Sequence, residues 1–388
     1  MPNSDRNILL VTHYYAEHRG GIEIVARNLG EAMVEGGIGE IVWCASDVNL
    51  PEGPFPDGLT CVPMRTLNVV EDKLHVPYPL WGPGSLWKLW RASRSADVVH
   101  LHDFFYMGNV LAFLFAKLRG KPVIITQHIG FVPYQNPVLR LILGTVNATL
   151  GKVLLSWANQ VVYISETVLD YFQGRITYRR PALFIPNGVD TEMYTPGTED
   201  ERSSVLKELN LPQDKPVFLF VGRFVEKKGL HILEQLVKRV PDVTWCFAGW
   251  GPMDPEGWGA DNVRIIKGRS GAALAEVYRA ADLLVLPSVG EGFPLVIQEA
   301  MACGTPAFVS TTTAGAQAEA RDLMIHEAVS EDGDTEGTVA AWADRLTELI
   351  EDPAALQDMR PKVSEFAHAH WSWRGNAERY GELFEELL

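Results

Sequence analysis

Two pairs of side chains in the second half of the chain have the types and spacing for chemistry on a phosphate-bearing ligand. The first is Arg223 and Lys228, set at the end of the apolar run Val217-Phe-Leu-Phe-Val-Gly-Arg223 and just before Gly229 and a helical pattern that runs to about Val240. Two cations converging beside a helix N-terminus neutralise a diphosphate and stabilise it as a leaving group, where negative charge grows as its bond breaks. The second pair is Glu291 and Glu299, separated by seven residues within Leu284-Val-Leu-Pro-Ser-Val-Gly-Glu-Gly-Phe-Pro-Leu-Val-Ile-Gln-Glu-Ala-Met-Ala-Cys-Gly-Thr-Pro306. A carboxylate does not pair with phosphate; beside a diphosphate it accepts hydrogen bonds from hydroxyls, as on a sugar and a ribose. The two pairs together suit a nucleotide sugar, although a capping arrangement at a solvated helix start also accounts for the carboxylates alone.

These groups need elements to hold them. Leu283 to Leu286 reads as a buried strand, followed by a glycine-containing loop and a helix from about Leu295 that stops before Gly304 and Pro306. That order brings backbone N–H groups and the positive end of a helix to a strand's carboxyl edge, where α/β sheets bind phosphates. The opening Asn7-Ile-Leu-Leu-Val-Thr12 is another strand-like run, followed by Gly20-Gly21 and a helical stretch from about Ile22 to Val34. The full GxGxxG spacing is missing, so a dinucleotide site is not indicated. Adjacent glycines let a backbone approach a ligand closely, and a plain tight turn is the alternative reading. Asp97-Val-Val-His-Leu-His102 and Pro122-Val-Ile-Ile-Thr-Gln-His-Ile-Gly130 both read as strands ending in histidine. The polar stretch Thr195-Pro-Gly-Thr-Glu-Asp-Glu-Arg202 is the natural linker, giving domains 1–195 and 196–370.

Over nearly its whole length the sequence resembles the retaining glycosyltransferases of family four. The resemblance rests on Glu291 and Glu299 at the family's spacing, on Arg223 and Lys228, on Thr126-Gln-His128-Ile-Gly130 and on Phe184-Ile-Pro-Asn-Gly-Val-Asp190. It implies an α/β protein of GT-B fold, two Rossmann-like domains facing across a cleft, with a C-terminal helix of about 371–388 that completes the first domain and is anchored by Trp373. The first domain is then the acceptor side and the second binds the nucleotide sugar. The resemblance further implies that Glu291 meets the donor sugar, Glu299 holds the ribose, Arg223 and Lys228 bind the donor phosphates, and His128, ahead of His100 or His102, contacts the sugar from the opposite domain. Gly20 and Gly21, with Gly292, Phe293, Pro294 and Leu295, are expected around the donor. Where many members have Phe-Gly this chain has Phe293-Pro294, and proline removes one N–H from the phosphate cradle.

The implied reaction is transfer of a hexose from a UDP- or GDP-linked sugar to a hydroxyl, with retention at the anomeric carbon, no cofactor and no metal. Glu331-Asp-Gly-Asp334 spells a metal-binding DxD pattern, but it follows no apolar strand and reads as a solvated loop. A non-hydrolysing sugar-nucleotide epimerase of the same architecture, or a non-catalytic nucleotide-sugar-binding module, are the alternatives. Trp250, after another strand, is a candidate to stack on the base or simply to pack.

Charge bears on the partners. The net charge of −15 argues against nucleic acid, but residues 73–180 hold 12 Lys or Arg against 4 Asp or Glu, an excess of +8. Within them, Trp81-Gly-Pro-Gly-Ser-Leu-Trp-Lys-Leu-Trp-Arg91 and Asn136-Pro-Val-Leu-Arg-Leu-Ile-Leu-Gly144 mix large apolar groups with Lys88, Arg91, Arg94 and Arg140. Such stretches suit an anionic bilayer or a lipid pyrophosphate, or they pack on the sheet with their basic ends in solvent. With the resemblance, they point to a glycan or lipid-linked acceptor of the bacterial envelope or an exopolysaccharide, with soluble acceptors also open. No uninterrupted apolar run reaches about 18 residues, and the start lacks a basic region with a cleavage site. A cytoplasmic protein, peripheral at the inner face of the membrane, is expected. Cys44, Cys61, Cys246 and Cys303 form no CxxC pair and read as buried thiols.

Overall fold

The continuous apolar runs of the sequence form the central strands of two parallel sheets in the computed structural model, which describes residues 6–18, 20–74, 77–130, 137–290, 292–330 and 334–388. Strands buried on both faces need such runs, because helices cover each side of a parallel sheet. The chain divides into two compact units: residues 1–188 with Trp373–Leu388, and Val189–Ser372.

The first unit contains β1 (Asn7–Val11), β2 (Glu40–Ser46), β3 (Leu59–Met64), β4 (Thr66–Leu67), β5 (Leu80–Trp81), β6 (Val98–His102), β7 (Val123–Gln127), β8 (Gln160–Tyr163) and β9 (Leu183–Phe184). Its main sheet runs β3-β2-β1-β6-β7-β8-β9 with every neighbour parallel, and β4 and β5 form a separate antiparallel pair. Helix Gly21–Glu35 buries Val25, Ala26, Leu29 and Met33, the spacing of a helix with one apolar face. The final helix, Trp373–Leu387, belongs to this unit. Trp373 lies against Gly188, where an added Cβ would sit 2.4 Å from the indole, and Asn376 donates to the Pro186 carbonyl at 2.7 Å. Tyr380 reaches Thr126 at the carboxyl end of β7, hydroxyl to hydroxyl at 2.7 Å.

The second unit contains β10 (Val217–Arg223), β11 (Thr244–Trp250), β12 (Val263–Ile266), β13 (Leu283–Leu286), β14 (Ala307–Ser310) and β15 (Ile325–Glu327), in the order β12-β11-β10-β13-β14-β15, all parallel. In both sheets the order reverses beside the first strand, at β1/β6 and at β10/β13. Open α/β sheets leave a crevice at such a reversal, outside the carboxyl ends of the strands. The register of β10 illustrates it: with β11 it stays paired through Arg223↔Trp250, while with β13 the paired residues are Phe218↔Leu283 and Leu219↔Leu284.

Two sequence expectations change. Residues 189–195, expected with the first domain, belong to the second unit, because Val189 N–H donates to the Trp371 carbonyl at 2.6 Å, Val189 bridges to Ser372, and the Tyr194 carbonyl is bonded by His368 at 3.1 Å. The expected linker 195–202 is half helix. Thr198 caps helix Glu199–Glu208, its hydroxyl accepting from Glu201 N–H at 3.3 Å while the Glu201 carboxylate accepts from Thr198 N–H at 2.7 Å. This reciprocal Thr-x-x-Glu box was present in the sequence as a helix start signal. Replacing Thr198 by Ala should lower unfolding stability by about 0.5–2 kcal/mol, read as a shift in denaturant midpoint with unchanged slope.

Candidate functional site

In the second unit the cations and the helix start meet at the β10/β13 reversal. Arg223 ends β10 and is exposed; the chain then makes a short turn, Glu226–Lys228, and reaches Gly229 at the start of helix Leu230–Arg239. Gly229 is left-handed, with φ 79°, and its Cα is so close to the next loop that an added Cβ would lie 2.4 Å from the Pro287 carbonyl oxygen. Only glycine meets both conditions. Val289 N–H donates to the Lys227 carbonyl at 3.1 Å, so the loop after β10 and the loop after β13 are joined by main chain. Lys228 is half-buried, its Cε 3.8 Å from where a Cβ on Gly222 would stand, which brings its stem alongside the residue before Arg223. Lys227, the middle residue of the turn, is exposed.

The loop after β13 is held from the other side by the Ser288 carbonyl, which accepts from Ser310 Oγ at 2.8 Å and from Thr313 Oγ1 at 3.4 Å. Gly292 is a bend, Phe293 is buried against Trp371 with ring centroids 5.6 Å apart, and Pro294 caps helix Leu295–Ala302. Glu291 lies outside the described residues. Glu299 occupies the second turn of that helix. Tyr278 donates to Glu299 Oε2 at 2.8 Å, Tyr194 also hydrogen-bonds the carboxylate, and burial raises its pKa. The two tyrosines were not singled out in the sequence, where nothing local marks either as a partner of Glu299. Trp250 is half exposed at the end of β11. Of the DxD pattern, Asp332 lies outside the described residues and Asp334 caps helix Thr335–Glu351, accepting from Gly337 N–H at 2.9 Å.

Gly20, Gly21 and His128 belong to the first unit, the glycines after β1 at its own strand-order reversal and His128 after β7, the strand next to β6. Gly20 precedes helix Gly21–Glu35, and the Glu23 carboxylate folds back over it: an added Cβ at Gly20 would lie 2.2 Å from Oε2, whereas Gly21 has open space. The two glycines therefore differ. Glu23 accepts from His13 Nε2 at 3.1 Å, and His13 stacks on Tyr106 with centroids 3.7 Å apart. His18 and Tyr14 bond Glu71 at 3.0 and 2.7 Å. His128 Nε2 is 2.9 Å from His102 Nδ1, and His100 Nε2 is 2.8 Å from Thr126 Oγ1. All three of these imidazoles are buried, so the expectation that separated His128 from His100 and His102 meets a joined cluster.

Burial sets the charge of this cluster. It holds His13, His100, His102 and His128 below the usual histidine range, and it pushes the Glu23 and Asp103 carboxyls up to about 8. From about pH 4 to 6.5 the unfolded chain binds protons on these histidines that the native chain refuses, so four groups raise stability with pH while two carboxyls oppose them. From about 6.5 to 8 the native chain keeps carboxyl protons that the unfolded chain has released, so stability falls as pH rises. The thermal midpoint should therefore peak near pH 6.5, and Glu23→Gln should flatten the decline above it. A midpoint that climbs steadily to pH 8 would contradict this charge assignment.

The chain has relatives in sequence and in fold among known proteins. Residues 19–193 match the family model described as Glycosyltransferase Family 4, and residues 201–367 match that of Glycosyl transferases group 1. The chain is 31% identical over 325 residues to the D-inositol 3-phosphate glycosyltransferase of Corynebacterium urealyticum, covering 76% of this chain and 72% of the relative. Sucrose-phosphate synthase from Thermosynechococcus elongatus superposes with a TM-score of 0.76 at 23% identity over 98% of this chain and 99% of its own. HepE of Anabaena, solved in complex with UDP-glucose, gives 0.72 at 16% identity over 98% and 100%. The fold is GT-B, each unit carrying a Rossmann-like sheet, and the protein is an enzyme that belongs to glycosyltransferase family 4.

Proposed function

We propose that the protein transfers a hexose from a UDP- or GDP-linked sugar to a hydroxyl acceptor with retention at the anomeric carbon. The observation that carries this reading is the joining of two loops in the second unit, where Gly229 packs on Pro287 and Val289 bonds Lys227. That junction ties the loop carrying Lys228, which follows the strand ending in Arg223, to the loop that leads into helix Leu295–Ala302, and we take cations and a helix N-terminus on joined loops as a setting suited to a diphosphate. In the proposed step the bond from the anomeric carbon to the diphosphate oxygen breaks and its electron pair leaves with the diphosphate. The acceptor oxygen bonds the same face of the carbon, and its proton passes to the departing diphosphate oxygen. Arg223 and Lys228 stabilise the growing charge. Glu299, fixed by Tyr278 and Tyr194, takes the ribose hydroxyls; Glu291 and His128 take those of the sugar. Pro294 supplies no N–H, so the cradle's donors come from its neighbours. The step is proposed without a metal. The UDP-glucose bound by HepE supports a nucleotide sugar as donor.

For the acceptor we propose a glycan or lipid-linked hydroxyl met at an anionic membrane surface. No helix among the described residues is long and apolar enough to cross a membrane. Trp81 is buried, but Trp87 and Trp90 on helix Pro83–Ser95 and Leu114 and Leu118 on helix Met107–Leu118 are exposed, Leu118 by 76%. Arg91 stacks over Trp87 at 4.8 Å and Arg119 over Trp90 at 3.7 Å, so aromatic and cationic groups lie together as a bilayer headgroup region requires. The stretch read as suiting either a bilayer or the sheet is divided between the two, with Trp81 in the core and Trp87 and Trp90 in solvent.

The donor reading is tested by thermal unfolding of the protein and of Lys228→Ala with UDP, GDP and ADP at equal millimolar concentration. A ligand at about 100 times its dissociation constant stabilises by about 2.7 kcal/mol. One diphosphate should raise the wild-type midpoint, and Lys228→Ala should lose most of that gain; no gain with any of the three would overturn the donor site. The membrane reading is tested by co-sedimentation with phosphatidylglycerol and phosphatidylcholine vesicles. Binding should favour the anionic vesicles, weaken with salt and drop severalfold in Trp87→Ala/Trp90→Ala. Equal recovery with both vesicles would count against it.

A further inference from the structure

We propose that His102 and Asp103 are positioning residues for His128, holding its imidazole as the Nδ1–H tautomer so that it meets an oxygen of the donor sugar as a neutral hydrogen-bond donor. The relevance to catalysis rests on the donor-sugar reading of His128; the tautomer does not.

The turn after β6 is built to hold these two residues in place. Asp103 has φ 71°, left-handed although it is not glycine, a conformation that costs energy and persists only where surroundings impose it. Asn109, fully buried on the next helix, imposes it by donating through Nδ2 to the carbonyls of His102 and Asp103, at 2.6 and 2.7 Å. Asp103 N–H in turn donates to the Thr126 carbonyl at 2.8 Å, tying the turn to β7. From this fixed dipeptide two side chains reach toward the residues that follow β7. The Asp103 carboxylate accepts from the amide of Gln127, the residue next to His128, and that amide also donates to the Ile129 carbonyl at 2.7 Å, so the chain on either side of His128 is held. The His102 ring lies along the His128 ring, centroids 5.1 Å apart and 24° between planes, with Nδ1 2.9 Å from His128 Nε2.

One proton must lie between those two nitrogens, and the far side of His102 decides its owner. His102 Nε2 is buried and has no hydrogen-bond partner among the described residues. A buried N–H without an acceptor is rarer and costlier than an unused lone pair, so the His102 proton belongs on Nδ1. His102 then donates, His128 Nε2 accepts, and the single proton of neutral His128 is left on Nδ1. The reverse arrangement would strand a buried N–H on His102 and turn His128 into an acceptor toward its ligand. The same rule gives His13, whose Nδ1 is also buried without a partner, a proton on Nε2 directed at Glu23. By this rule His102 donates toward His128 after β7 and His13 toward Glu23 on helix Gly21–Glu35, so the two protons point different ways.

The test uses the full chain with histidine labelled in nitrogen-15, without nucleotide, read by two-bond nitrogen–proton correlation. Wild type should show His128 protonated on Nδ1. His102→Phe should convert it to a mixture of tautomers, and His102→Asn, whose amide N–H stands close to the Nδ1 position, should restore the wild-type pattern. With UDP-glucose hydrolysis as readout, His102→Phe should lower kcat by about 10- to 100-fold with KM changed far less, as for a group misplaced but still present. His102→Asn should recover most of it. His128 protonated on Nε2 in wild type, or an unchanged Nδ1–H in His102→Phe, would overturn the proposal. Full activity in His128→Ala would instead remove the donor-sugar role while the wild-type spectrum still decided the tautomer. Should His102→Phe fail to fold, wild type and His102→Asn suffice.

Discussion

The strand order of each sheet is the constraint on which the rest depends. Because β6 lies beside β1 and β13 beside β10, each pair of neighbouring strands sends its chain to opposite faces of the sheet, and no covalent connection fills the space beyond their carboxyl ends. Whatever occupies that space must be brought there by loops, and loops have to be held. In the second unit the fastening is main chain to main chain, Val289 to Lys227, with Gly229 trimmed to let Pro287 approach. In the first unit it is side chain to main chain, through Asn109.

The two fastenings have different energetic characters. The one in the second unit places little charge in the interior, and its cations stand at or near the surface. The one in the first unit buries imidazoles and carboxyls that a stable core would replace with apolar groups, since each buried polar atom without a partner costs desolvation energy that packing must offset. His102 Nε2, Asp103 Oδ2 and Gln127 Oε1 are such atoms, all at the carboxyl ends of β6 and β7. A protein that keeps them there is spending stability on geometry.

Legibility in the sequence followed the distance over which a cause acts. Leu283–Leu286 and the helix Leu295–Ala302 were readable because an apolar run, a glycine and a proline act within a few residues of themselves. The positions of Arg223 and Lys228, where a strand stops and ahead of a helix, were readable for the same reason. Tyr278 was not, since its hydroxyl matters through Glu299, in a different helix. The joined histidines were read as separate strand ends because their pairing depends on β6 and β7 being neighbours in register, His102 opposite Thr126. Asn109 carried no local mark at all. The Thr198 box, by contrast, was local and was overlooked behind the breakers around it.

The place where the chain leaves and re-enters the first unit has a topological meaning. Gly188 lies against Trp373, and the next residues outward, Val189 and Ser372, are bridged to each other. The second unit is therefore one uninterrupted segment whose two ends are neighbours, which is the form of a domain inserted into a host. In such an arrangement the host's last helix is threaded only after the whole insert has been synthesised, so the Tyr380–Thr126 contact at the end of β7 closes last in chain order. The second unit can be complete before the first, with its buried histidines, is sealed.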